Sequence, residues 1–116
     1  MTIKDKLYID LIKSLRSGQY TQGFGCLSKD DCHCILGVMC EVYNRHTETP
    51  LTITQYKWPK MGLLTQYNGE IDRLPPEVAK VFDIDEDGQY AFMSMNDNGT
   101  NFDDFASLFE DEIFYQ

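Results

Sequence analysis

The apolar residues near the start of the chain recur at intervals of three and four positions, which predicts one buried face of a helix: Leu7, Tyr8, Leu11, Ile12 and Leu15. Thr2 has a side chain suited to capping this helix, and Asp5 follows three positions later as in a capping box. Gly18 is a residue type that commonly ends helices. We therefore predict an amphipathic helix from Ile3 to Ser17.

The next segment, Tyr20 to Leu27, has turn-forming residues around its aromatics, and Ser28–Asp31 (SKDD) is typical of a turn, so a short hairpin is predicted before Cys32. From Cys34 the chain becomes continuously apolar with helical spacing. This pattern predicts a buried helix from Cys34 to Asn44. Gly37 inside it should cost about 1 kcal/mol relative to alanine.

Three later segments show the residue types of short strands, with Asn-Gly and Asp-Gly turn signals among them: Leu51–Lys57, Leu63–Tyr67 and Tyr90–Met95. Leu74-Pro75-Pro76 predicts a short helix that runs through Phe82, because proline is tolerated in a first helical turn.

The end of the chain predicts a last helix, capped by Thr100 together with Asp103. Its apolar side would be formed by Phe102, Phe105, Phe109 and Ile113. The elements together predict an α+β fold in a single domain, residues 1–116, with a small antiparallel sheet packed against about four helices. We expect six residues in particular to be buried in its core: Leu11, Leu15, Leu36, Val38, Phe105 and Phe109.

Composition narrows the class of protein. Hydrophobic residues make up 42% of the 116 residues and aromatics 13%, which predicts a folded domain. No apolar run approaches the ~20 residues that span a bilayer, and the first ten residues alternate charged with apolar side chains, unlike a signal peptide. We therefore expect a cytoplasmic protein that does not contact a membrane.

The formal charge is −9 and is unevenly distributed, because 13 of the 19 acidic residues lie in 70–116, where Arg73 and Lys80 are the only bases. A negative field repels nucleic acid backbones and favours encounter with a basic protein surface. We therefore predict no direct nucleic acid binding. The simpler alternative is that the acidity only keeps the protein soluble.

Four cysteines lie within fifteen residues: Cys26, Cys32, Cys34 and Cys40. A structural zinc ion usually takes two close pairs of ligands separated by a loop, and no second pair follows here. A disulfide is unusual in a reducing cytosol. We predict that the four thiols are buried, reduced and metal-free, and that the protein has no cofactor, with zinc or a disulfide as the less favoured alternatives.

Other motifs indicate little chemistry. Asp83–Gly88 (DIDEDG) begins like a calcium loop, but Ser94 stands at the twelfth position, where a bidentate carboxylate is needed. We interpret it as an acidic turn before the Tyr90 strand. His33 and His46 have no recognisable catalytic context, and neither a G-x-S-x-G elbow nor a phosphate-binding G-x-x-x-x-G-K is present. We predict that the protein is not an enzyme.

Polar and aromatic residues near the ends of elements are the sequence's candidates for a ligand pocket: Arg16, Tyr20, Gln22, Trp58, Asn96 and Asp97. The simpler interpretation is structural. In that case Arg16 and Asp97 satisfy backbone groups, and Trp58 fills the core.

Four strings of this sequence, together with Trp58, resemble a widespread family of small proteins encoded by tailed bacteriophages and prophages. The strings are LRSGQYTQGFGCL, CILGVMCEVY, LPPEV and MNDNGTNFDDFASLFED. The family pattern has paired cysteines where this chain has Cys34 and Ile35, and serine where it has Asn101. An isoleucine at the second position fits a sulfur-lined core. The resemblance implies a bacteriophage source and the host bacterial cytoplasm as the setting.

By analogy with small phage accessory proteins, we expect a non-enzymatic inhibitor of a host protein, one of antiviral defence or of nucleic acid handling. Five carboxylates of the predicted last helix would dock on a basic patch of that host protein: Asp103, Asp104, Glu110, Asp111 and Glu112. The alternative is a small-molecule binder that sequesters a nucleotide immune signal in the pocket defined above. The two expectations differ in which residues are essential.

Overall fold

The computed structural model describes residues 1–114, and its first element is helix α1, Ile3–Arg16. The Thr2 hydroxyl accepts a hydrogen bond from the Asp5 backbone N–H at 3.1 Å, which satisfies one of the free donors of the first turn. The predicted helix and its cap are confirmed, and the helix ends one residue before the predicted Ser17.

Three two-residue strands follow: β1 (Thr21–Gln22), β2 (Ser28–Lys29) and β3 (Cys32–His33). β2 and β3 form an antiparallel hairpin, so a hairpin before Cys32 is confirmed, but Ser28 and Lys29, predicted to lie in its turn, form its first strand. Its two turn residues, Asp30 (φ 51°) and Asp31 (φ 63°), are left-handed, as the tightest hairpin turns require. β1 pairs with β3 in parallel, which makes the sheet mixed instead of purely antiparallel.

Helix α2, Ile35–His46, confirms the predicted buried helix; it begins one residue after the predicted Cys34, which is its N-cap, and ends two residues after the predicted Asn44. It is buried on almost every side, because residues 34–40 are all buried. This explains why its sequence is continuously apolar instead of amphipathic. Its N-terminus lies against the backbone at Leu27, whose carbonyl accepts from the Cys34 N–H at 3.2 Å.

Strands β4 (Ile53–Trp58) and β5 (Gly62–Tyr67) form an antiparallel hairpin and confirm two of the predicted strands. The sheet order is β1-β3-β2-β5-β4, so β4 is an edge strand. Helix α3, Pro76–Phe82, confirms the short helix predicted after Leu74, with proline in its first turn.

The predicted strand Tyr90–Met95 is wrong, because these residues lie in helix α4, Glu86–Asp97. The predicted acidic turn is also wrong in its role: Asp85 caps this helix by accepting from the Gly88 N–H at 2.7 Å. Phe92 and Met93 pack against the core and Asn96 is buried, at the spacing of one helix face. The Asp87-Gly88 pair is typical of a hairpin turn, but packing on that helix face outweighs this local preference.

The last helix, α5, spans Phe102–Phe114, so the predicted helix is confirmed. Its cap is not Thr100: the Asn101 side chain accepts from the Asp104 N–H at 2.8 Å. Helix α5 packs along α1, and α1 packs on α2, so these three helices form much of the core, which α3 and α4 help to complete. All six predicted core residues are buried. The α+β fold is confirmed, with five helices among the described residues.

Candidate functional site

The surface around the N-terminus of α4 contains two grooves with acidic rims. The first, of about 520 Å³, lies between the start of α1, the α3–α4 connection and the end of α5. Four carboxylates line it: Asp5, Asp83, Asp85 and Glu112. One cation, Lys4, also lines it, and its ammonium contacts Asp83 at 3.2 Å. The groove therefore carries a net negative charge.

The floor of this first groove is an aromatic cluster. Tyr8 contacts Phe82 edge to face, with ring centroids 5.1 Å apart, and Phe109 at 5.5 Å; Phe92 contacts Phe109 at 5.5 Å. The Tyr8 hydroxyl donates to the Phe82 carbonyl at 2.8 Å. Burial, with the nearby carboxylates of Asp83 and Glu112, raises the pKa of Tyr8 to about 12, so this hydroxyl stays a neutral donor.

The second groove, of about 880 Å³, lies on the other side of α4, next to the segment before α3. Five carboxylates line it, against the single cation Arg73: Glu70, Asp72, Asp85, Glu86 and Asp87. Tyr90, 78% exposed, lines it as well. Among the described residues, the two grooves together bring eight carboxylates and two cations to one part of the surface.

Asp85, Glu86 and Asp87 occupy the cap and first turn of α4, where Asp85 lines both grooves and Glu86 and Asp87 line the second. Carboxylates are favoured at this end of a helix, because the unpaired backbone N–H groups there give it a partial positive charge. The fold can therefore hold a dense row of acids here at little cost in stability. None of these three residues is among the sites predicted from the sequence, although the capping pattern Asp85–Gly88 is a signal for the start of this helix.

The five carboxylates predicted to form a binding surface are spread over more than one side of α5. Glu110 makes a bidentate ion pair with Arg16, at 2.8 and 3.3 Å, and Asp103 is close enough to Arg16 to raise the pKa of its guanidinium together with Glu110. Asp104 and Asp111 face solvent. Glu112 lines the first groove. The structure thus places one of the five at the grooves.

Three of the six pocket candidates are brought together, around a buried Asn96. The Asn96 side-chain oxygen accepts from the Gln22 amide and from the Ile35 N–H, both at 3.0 Å. Its nitrogen donates to the Gly23 carbonyl at 2.8 Å and lies 3.3 Å from Asp97. These bonds tie α4 to β1 and to the N-terminus of α2. The amide side chain therefore holds three elements together.

The other three pocket candidates lie elsewhere. Arg16 pairs with Glu110, and the Tyr20 hydroxyl accepts from Arg45 at 2.7 Å. Trp58 is 45% exposed and contacts Tyr56 at the end of β4, so the interpretation that it fills the core is wrong. As far as residues 1–114 show, none of the six candidates lines either groove.

Asn96→Ala is expected to reduce the free energy of unfolding by about 2 kcal/mol, because it leaves the Ile35 N–H and the Gly23 carbonyl without their partner. Urea denaturation measures this change. The control is Asn98→Ala, two residues later at an exposed position, which should cost less than about 1 kcal/mol. Equal costs at the two positions would contradict the role assigned to Asn96.

An ion-pair network that is not predicted from the sequence joins α1 to α2. Asp10 accepts from Arg45 at 3.0 Å and from Ser14 at 3.1 Å, and lies 2.7 Å from His46. Burial raises the pKa of Asp10, but hydrogen bonds from Arg45 and His46 outweigh burial and lower it overall. In a catalytic triad the histidine stands between the hydroxyl and the acid; here the acid is central, so this arrangement does not activate Ser14.

The cysteines divide into two pairs by burial. Cys34 and Cys40 are fully buried, and burial raises the pKa of Cys34 to about 12 and that of Cys40 as well. The Cys34 sulfur caps α2 by accepting from the Gly37 N–H at 3.4 Å. Cys26 and Cys32 are only half-buried, which corrects the expectation of four buried thiols. Within residues 1–114, no three metal-binding side chains are grouped to hold an ion.

Comparison with known proteins gives one match. A family model described as Domain of unknown function (DUF8296) matches residues 2–113. No curated protein and no solved structure matches the chain. None of the helices in the described part of the chain is long and apolar enough to cross a membrane.

Proposed function

The chain belongs to the DUF8296 family, and we propose that it is a non-enzymatic protein that binds a basic segment of another protein through its acidic surface. The observation that carries the proposal is the pair of grooves flanking α4, in which apolar floors lie beneath rims of carboxylates. Of the acidic residues predicted from sequence to form the contact, Glu112 belongs to this surface.

Charge and shape support a basic amphipathic partner. The carboxylates around the grooves attract cationic side chains over a distance of about 8–10 Å at ordinary salt, which speeds encounter. The partly buried Phe92, Ile84 and Ile113 in the lining of the first groove then offer apolar contact, and a fully desolvated aromatic anchor is a usual source of binding energy. A nucleic acid backbone would be repelled by the same field.

The resemblance to bacteriophage and prophage proteins supports a host protein as the partner. A basic surface that normally holds nucleic acid is the chemistry these grooves would compete for. We therefore propose an inhibitor of a host defence or nucleic-acid-handling protein, acting in the host bacterial cytoplasm.

Sequestration of a nucleotide, the alternative function, has less support. Arg16, one of its pocket candidates, is engaged with Glu110, and Trp58 contacts Tyr56 at the end of β4. The side-chain amides of Gln22 and Asn96 form hydrogen bonds with each other and with backbone carbonyls. These residues have structural partners already, so we do not propose a nucleotide site from them.

Two matched charge reversals test the groove surface. Glu86→Lys/Asp87→Lys reverses two carboxylates that line the second groove, in the first turn of α4, and Asp103→Lys/Asp104→Lys makes the same change of charge in the first turn of α5. Affinity purification from bacterial lysate with mass spectrometry identifies the partner, whose association rate is then measured at two salt concentrations. We expect the α4 pair to slow association roughly tenfold at low salt, and the α5 pair to change it by less than about threefold.

The melting temperature of each double variant is the control for folding, because both variants place the same charge change in the first turn of a helix. If the α4 pair associates at the parent rate, the grooves are not the binding surface. If only the α5 pair slows association, the contact lies on the outer side of α5, as the sequence analysis expected.

A further inference from the structure

Strand β4, Ile53–Trp58, is an exposed sheet edge. It is the last strand in the sheet order, and five of its six residues are exposed. Ile53 is 46% exposed and Trp58 45%, so apolar side chains lie along it. Proteins usually shorten, bend or cover such an edge, because its free backbone groups can pair with another strand. The opposite edge, β1, has only two residues.

The hydrogen bonds of Leu63 identify which backbone groups of β4 are free. Both backbone groups of Leu63 point towards β2: its N–H donates to the Asp30 carboxylate at 2.9 Å, and its carbonyl accepts from the Asp30 N–H at 2.8 Å. Backbone groups alternate along a strand, so those of Leu64 point the other way, towards Tyr56 of β4. Along β4, therefore, Thr54, Tyr56 and Trp58 bond to β5.

It follows that Ile53, Gln55 and Lys57 direct their N–H and C=O groups away from the sheet. In the described part of the chain no other strand lies on that side. We propose that this edge pairs with the same edge of a second copy of the chain, antiparallel and about a two-fold axis at Gln55, which joins the two sheets into one.

The edge is complementary to itself in this register. Ile53 of each copy lies opposite Lys57 of the other, and Gln55 lies opposite Gln55. The paired residues are therefore those whose backbone N–H and C=O groups point away from the sheet. An antiparallel pair of this kind exchanges two hydrogen bonds, giving about six across the axis. The same surface serves both copies, which is the symmetry of most dimers.

The charged residues at the two ends of β4 favour a second copy as the partner and antiparallel pairing as its direction. The basic residues, Lys57 and Lys60, lie at one end of the edge, and the exposed Glu48 precedes its other end. Antiparallel pairing brings the basic end of each copy to the acidic end of the other. Parallel in-register pairing would set Lys57 directly beside Lys57, which is destabilising. Most of the molecule's negative charge lies instead in residues 70–116, outside this strand.

Molar mass measured by light scattering over a concentration series tests the proposal. The wild-type mass should rise from 13.4 kDa towards twice that value. Ile53→Lys should lower the dimer affinity at least roughly tenfold, because it places a lysine opposite Lys57 of the other copy. Adding Lys57→Glu to that variant should restore the dimer, since residues 53 and 57 face each other only between copies. Lys57→Glu alone should leave the dimer intact.

A backbone test complements the charge test. Gln55→Pro removes an outward N–H without touching the β4–β5 bonds and should abolish the dimer, whereas Gln55→Thr keeps the N–H and should preserve it. A wild-type chain that stays monomeric up to about 1 mM would overturn the proposal and leave the edge to a strand of another protein. Failure of the double charge variant to recover would also overturn it, even if Gln55→Pro does not fold.

Discussion

Gly37→Ala is expected to reduce the free energy of unfolding by about 2–4 kcal/mol, although alanine is the better helix former. A β-carbon at this position would overlap the Leu27 carbonyl oxygen and lie 2.8 Å from the carbonyl carbon. Both are backbone atoms, which cannot rotate away as a side chain can. Helix α2 would have to move off the loop before β2. Urea denaturation, with a melting curve, measures the loss.

Gly88→Ala is the matched control, because Gly88 is the third residue of α4 as Gly37 is of α2, and each donates its N–H to the N-cap side chain. Its β-carbon would meet side-chain atoms, the Ile84 methyl at 3.0 Å and the Asp85 carboxylate at 3.2 Å, and these can shift. We expect a change within about 1 kcal/mol there. A gain of about 1 kcal/mol from Gly37→Ala, as helix propensity alone predicts, would show that α2 does not pack as described.

Phe109→Ala should cost about 3–5 kcal/mol, the largest loss we predict from a single truncation. Phe109 is 3% exposed and its ring contacts those of Tyr8, Phe92 and Phe105. Removing it opens a cavity where α5, α4 and α1 meet, and the surrounding rings can only partly close it. The expected fall in melting temperature is roughly 10–20 °C.

Phe24→Ala makes the same chemical change at a position that is 59% exposed. Its side chain has little contact to lose, so we expect a cost under about 1 kcal/mol. Similar costs for the two truncations would mean that Phe109 is not part of a packed core, and would contradict the aromatic floor of the first groove.

The site was less predictable than the fold. Positions near the ends of elements make Asn96 and Gln22 candidates for a pocket; their side chains do meet, but they form a structural hydrogen-bond network. The sequence pattern predicts a turn at Asp85, Glu86 and Asp87, whereas the structure places them at the start of α4, in the lining of the second groove. A groove depends on which elements become neighbours in space, and no local pattern reports that.

The sequence by itself determined four helices and two strands of the hairpin β4–β5, because each has a strong period or a proline signal of its own. It also determined the six core residues tested and the concentration of negative charge in 70–116. These properties depend on residue type and local spacing alone.

Tertiary structure decided the rest. It made Tyr90–Met95 part of a helix, since Phe92 and Met93 find the core at helical spacing. It made Gly37 a packing requirement where propensity alone predicts a defect. It also placed β4 at the edge of the sheet. Each outcome depends on contacts between residues distant in sequence, whose energies exceed the local preferences of about 1 kcal/mol on which sequence patterns rest.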